Sequence, residues 1–125
     1  MRIAVCGPER SGLISKLEKE LNVTAIKPWG DGSIMDYTAV TYTKFDQKNV
    51  LFDGSPFDFL FTSDSEEYNE VYEQLALISL VNIDKLVFVT NGMDESRLSM
   101  LKSYAELFPK KIFMYTTIEA ENVNF

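Results

Sequence analysis

Apolar residues along this chain follow two rhythms, and the switches between them outline its elements. Ile3-Ala4-Val5-Cys6, Val50-Leu51-Phe52, Leu86-Val87-Phe88-Val89 and the stretch from Ile112 to Tyr115 are short apolar runs. Runs of that length without polar alternation predict strands buried on both faces. Val23 to Ile26, ended by Pro28, predicts another short strand. Thr38 to Phe45 differs, because Val40 and Tyr42 alternate with Thr41 and Thr43 as in a half-exposed strand. Asp46-Gln47-Lys48-Asn49 could then turn it antiparallel into Val50.

The remaining stretches repeat at helical spacing. Leu13, Ile14, Leu17 and Leu21 share one face of a helix near residues 12–21, with Lys16, Glu18, Lys19 and Glu20 toward water. Ser63 and Glu66 have capping-box spacing, and Tyr68, Val71, Tyr72, Leu75, Ile78 and Val81 carry a helix on from them. Its second half, Leu75 to Val81, is apolar nearly all round, which predicts deep packing. Leu98, Leu101, Ala105 and Phe108 mark a further helix that Pro109 stops. This alternation predicts an α/β fold: three layers around a mostly parallel sheet of about five strands. No repeat, low-complexity tract or linker interrupts it, so residues 1–125 read as a single domain.

Composition narrows the chemistry. Of 125 residues 46% are hydrophobic and 25% charged, enough apolar surface to offset chain entropy. Twelve Lys and Arg against 19 Asp and Glu give a net charge of −7, which disfavours duplex DNA and anionic membrane as partners. The absence of histidine excludes Ser-His and Cys-His catalysis, imidazole-bound metals and an imidazole pH switch. The single cysteine, Cys6, excludes an intrachain disulfide and reads as a small buried hydrophobe. The run at residues 3–6 is too short for a signal-peptide core, and Leu75 to Val81 is far below a membrane span. A soluble cytoplasmic protein is expected.

The first strand is followed by Gly7-Pro8-Glu9-Arg10-Ser11-Gly12-Leu13-Ile14, then by the first helix. Two glycines at this spacing between strand and helix resemble the Walker A loop, Gly-x4-Gly-Lys-Ser/Thr, of P-loop NTPases. Such a loop curls so that amide N–H groups converge on phosphate oxygens at a helix N-terminus. The resemblance makes all eight residues candidates for phosphate binding. Leu13 stands where the family has lysine and Ile14 where it has Ser or Thr. Neither the charge for the β- and γ-phosphates nor the hydroxyl that holds magnesium is supplied. Arg10, Ser15 or Lys16 could compensate. Gly7 and Gly12 could equally serve only to make a tight turn.

Asp53 follows Val50-Leu51-Phe52 and so sits at the carboxyl end of a buried strand, the edge where open α/β sheets bind ligands. Phe52-Asp53-Gly54-Ser55-Pro56-Phe57-Asp58 and the later strand 86–89 resemble the Asp-Arg-Ser-Pro-x-Asp region of small nucleoside and nucleotide kinases, including phage-type deoxynucleotide kinase-like proteins. That resemblance makes Asp53 and Asp58 a second site and implies a magnesium ion held by Asp53 through water. Gly54 replaces the family's arginine, and the span from Gly12 to Asp53 leaves little room for a helical substrate insertion. With only Arg2, Arg10 and Arg97 in the chain, the arginine-bearing lid is missing too.

An alternative resemblance is to small GTPases. Asn91-Gly92-Met93-Asp94 is similar to the guanine-reading Asn-Lys-x-Asp, with Thr116-Thr117 in place of the following Ser-Ala. On that reading Asn91 and Asp94 read a base; otherwise Asn91-Gly92 is a turn and Asp94 caps the helix from Glu95. The expectation is a non-catalytic, P-loop-kinase-like binding or assembly module with a protein partner or a second copy, able to keep weak nucleotide or phosphate binding. The alternative is a degenerate GTPase-like or nucleotide kinase enzyme using nucleotide with magnesium.

Overall fold

The fold, a computed structural model, describes residues 1–27, 48–61 and 70–124. Its sheet is built from β1 (Arg2–Cys6), β2 (Val50–Asp53), β3 (Lys85–Val89) and β4 (Ile112–Tyr115), in the order β2-β1-β3-β4. All three pairings are parallel, as uniformly apolar strands require when helices cover both faces. The protein is an α/β fold. Val5 faces Asp53, Cys6 faces Phe88 and Val89 faces Tyr115, so the loops that leave all four strands emerge at one edge. The chain goes from β1 to one side and later returns to β3 on the other, which makes the β1/β3 junction the switch point of the sheet.

Alternate side chains of the strands serve two cores. Ile3, Val5, Leu51, Val87 and Val89 pack with Leu13, Ile14 and Leu17 of α1 (Ser11–Leu21) and with Ala120 of α5 (Thr117–Asn122). Ala4, Cys6, Phe52, Leu86 and Phe88 pack on the opposite face with α2 (Phe57–Phe61), α3 (Glu70–Ser79) and α4 (Glu95–Leu107). On that face Phe61 meets both Phe88 and Tyr104 edge-on with centroids 5.8 Å apart, the geometry that ring quadrupoles favour. These contacts hold a five-residue helix too short to persist alone.

The sequence expectations change in three places. Among the described residues the sheet has four strands, and Val23 to Ile26 contributes only an isolated parallel bridge from Ile26 to Phe52. The strand expected at Thr38 to Phe45, and Ser63, Glu66 and Tyr68 of the expected long helix, lie outside the described residues. The segment Leu75 to Val81 is not packed all round: Ile78 is 45% and Val81 74% exposed. There α3 lies on one layer and buries a single stripe, Ala76 and Ser79. The chain then tightens into a 3-10 turn at Leu80–Asn82, which buries Leu80 and turns Val81 outward.

The third change is α5, which hydrophobic periodicity did not signal. Thr116 accepts from the Glu119 amide as its N-cap, and the two side chains also bond. That Thr-x-x-Glu capping box was visible in the sequence. No helix among the described residues is long and apolar enough to cross a membrane.

Candidate functional site

The β1–α1 connection occupies only residues 7–10, because α1 begins at Ser11. Gly7 has φ +109°, and a Cβ there would lie 2.1 Å from the Val89 carbonyl oxygen, so only glycine lets β1 leave beside β3. Gly12 behaves differently. It lies inside α1 with nothing within 4 Å of a built Cβ, so no close approach requires it. Leu13 and Ile14 are buried in the core between α1 and the sheet. Pro8, Glu9 and Ser11 are exposed.

The β2 exit meets this loop from the neighbouring strand. Gly54 has φ +114° and donates to the Val5 carbonyl at 2.9 Å. An arginine at this position would be strained, which gives a conformational reason for the missing cation. Ser55 then accepts from the Phe57 amide at 3.2 Å and starts α2, which carries Asp58 back under the β1 loop.

There the structure brings together Gly7, Arg10, Asp53 and Asp58. Arg10 donates from Nε to Asp53 Oδ1 at 2.7 Å, and from Nη1 to Asp58 Oδ2 at 3.0 Å and to the Gly7 carbonyl at 3.2 Å. Asp58 also accepts from the Gly7 amide at 3.0 Å and from the Ser55 amide at 3.3 Å. A carboxylate thus sits among amide and guanidinium donors, the surroundings that suit an anion. Burial pushes the Asp58 carboxyl above its usual range, although Arg10 and the two amides pull the other way. Burial also opposes the Arg10 charge, but Asp58 and Asp53 outweigh it and raise the guanidinium's proton affinity. Cys6 lies fully buried behind the cluster, and burial pushes its thiol up, so it is neutral and unreactive.

An open cleft of about 410 Å³ adjoins the cluster, lined by Gly7, Pro8, Arg10, Ser11, Ile14, Ser15 and Asp53. Lys16 does not reach it. Contrary to its expected place toward water, its Nζ donates to the carbonyls of Ala120, Glu121 and Val123 at 2.9–3.0 Å and holds the end of α5 against α1.

Asn91 and Asp94 are used separately. Asn91 Oδ1 accepts from the Thr117 amide at 2.8 Å, tying the loop after β3 to α5. Asp94 is the N-cap of α4 and accepts from the Arg97 amide at 2.8 Å. Asp94 does the local work of a helix cap, whereas Asn91 makes a tertiary tie.

No family model, curated protein or solved structure matches this chain. The geometry has to carry the functional argument alone. It is a poor fit for magnesium: Asp53 is bonded to a guanidinium that would repel a second cation, and Ile14 offers no hydroxyl. Among the described residues no three His, Cys, Asp or Glu side chains converge on one point. No chemical step through a metal follows from these residues.

Proposed function

We propose that this chain is a non-catalytic binding or assembly module on an α/β domain related in shape to P-loop nucleotide kinases. One observation carries the reading: Arg10, the only cation among the described residues that line the cleft at the carboxyl edge, is held between Asp53 and Asp58. Phosphoryl transfer depends on cations that neutralise charge developing on the phosphoryl oxygens. Among the described residues one guanidinium is set against two carboxylates there, and that excess of negative charge repels a triphosphate. The use of Lys16 on helix carbonyls, the burial of Leu13 and Ile14, and Gly54 in place of a cation support the same reading. The module acts by contact with a protein partner or a second copy of itself.

Thermal melting with millimolar ATP, GTP or deoxynucleoside monophosphates, each with magnesium, tests the proposal at neutral pH. Unchanged melting in every case is the expected result, together with self-association or a co-purifying protein. A nucleotide-dependent rise in melting temperature that Arg10→Gln removes would overturn it in favour of a nucleotide binder.

A further inference from the structure

We propose that the Asp58 carboxylate is an internal gate on the β1–α1 loop: its charge holds Arg10 back, and loss of that charge frees the guanidinium to take a small oxyanion in the adjoining cleft. Arg10 belongs to both environments. It lines the open cleft with Gly7, Ser11 and Ser15, while Asp58, only 8% exposed, is absent from that lining and lies behind the loop. The guanidinium therefore stands between a buried anion of the protein and a solvent-filled space large enough for an external one.

Charge decides which anion it serves. With Asp53 and Asp58 both ionised, the described residues of the cluster, Arg10, Asp53 and Asp58, carry a net negative charge, and an entering oxyanion meets repulsion. Without the Asp58 charge, Arg10 and Asp53 balance, and Nη1 loses its ionic partner behind the loop. Arg10 remains bonded to Asp53 through Nε and to the Gly7 carbonyl through Nη1, so the guanidinium, released from the buried charge, stays beside the cleft. The Asp58 charge is also the costly one, because it is buried whereas Asp53 is partly open to water.

Among the described residues, the titratable and charged groups facing Asp58 include Arg10 from the loop, Asp53 from β2 and Cys6 from β1. Arg10 stays charged and Cys6 stays neutral across the acidic range, so the gate responds to the carboxyls. This inference rests on the closed-edge reading above and adds what opens the edge.

Sulfate is the probe, because its charge does not change across mildly acidic pH. Its binding to the full chain is followed by NMR shifts of the Gly7 amide and the Arg10 side chain. Asp58→Asn keeps the shape and removes the charge; it should bind sulfate about tenfold or more tighter than wild type at neutral pH. Adding Arg10→Gln to that variant should abolish the gain. Wild type should gain affinity as the pH is lowered, whereas Asp58→Asn should gain less.

An Asp58→Asn protein that binds no better than wild type overturns the gate, as does a gain that survives Arg10→Gln. If the variant does not fold, the wild-type pH series decides, and flat affinity overturns the proposal. Tight sulfate binding by wild type at neutral pH is a different outcome: it overturns the closed-edge reading itself.

Discussion

The amide of Gly7 donates to the Asp58 carboxylate over 3.0 Å, joining residues 51 positions apart in the chain. The same carboxylate holds Arg10 and the Ser55 amide, so one buried side chain ties together the exits of two neighbouring strands. Removing it leaves donors without a partner in a place water reaches poorly. Asp58→Ala should cost about 2–4 kcal/mol in urea or thermal unfolding, and Asp58→Asn clearly less, since the amide keeps one acceptor.

The pH dependence of that contribution follows from the direction of its shift. Burial holds the Asp58 carboxyl above its unfolded value, so the folded chain keeps this proton to higher pH than the unfolded chain does. The resulting stability is fully present below the unfolded pKa and is lost as pH rises through the folded one. Unfolding midpoints of wild type and Asp58→Asn, measured from acidic to neutral pH, should therefore shift in the variant's favour as pH rises. A gap moving the other way would show that the pairing with Arg10 outweighs burial.

The two glycines of the Walker-like spacing should respond in opposite ways. Gly7→Ala puts a methyl carbon into the Val89 carbonyl and forces an L-residue to positive φ, so a loss of about 3 kcal/mol or more is expected. Gly12→Ala meets open space inside a helix and should be neutral or stabilising by up to about 1 kcal/mol. Chemical denaturation of the two variants checks both.

Lys16 supplies three donors to carbonyls at the end of α5, where a helix has no partners of its own for them. Lys16→Met keeps most of the stem and removes the charge. Hydrogen exchange should speed up across residues 117–122 ahead of the rest of the chain, with a global loss of about 1–2 kcal/mol. Uniform acceleration over the whole chain would contradict a local role.

Asp94 accepts from the Arg97 amide as a helix cap. Asp94→Ala should cost about 1 kcal/mol, and Asp94→Ser much less, as capping predicts. A base-reading role would make the serine variant as defective as the alanine one in guanine-nucleotide binding.

How much of this was legible beforehand depended on the range of the interaction. The strands at residues 3–6, 50–52 and 86–89 were visible because a run of apolar side chains has to be buried on both faces. The face formed by Leu13, Ile14 and Leu17 was visible because it repeats every turn. Val81 was misread because periodicity assumes a continuing α-helix, and the chain changes to a tighter turn at Leu80. The α5 helix is too short to show a periodic face, although the pairing of Thr116 with Glu119 marked its start.

At the site, sequence spacing found the loop and both acidic residues but not their relation. Arg10 stood out as a candidate ligand for phosphate, and Lys16 as a residue able to assist. Nothing local announced that Arg10 would be held by Asp53 and Asp58, or Lys16 by carbonyls more than a hundred positions along the chain. Gly54 looked only like a missing cation until its positive φ gave it a conformational reason.

By itself, then, the sequence determined the alternation of strand and helix, the parallel and doubly covered sheet, the lack of imidazole chemistry and the shortage of cations. These follow from local periodicity and from which side chains exist at all. The tertiary structure alone decided which charges meet. Parallel strands bring their carboxyl ends to one edge, and short loops there force side chains distant in sequence to satisfy one another. Burial, which spacing cannot express, made Asp58 the partner that Arg10 and Gly7 share.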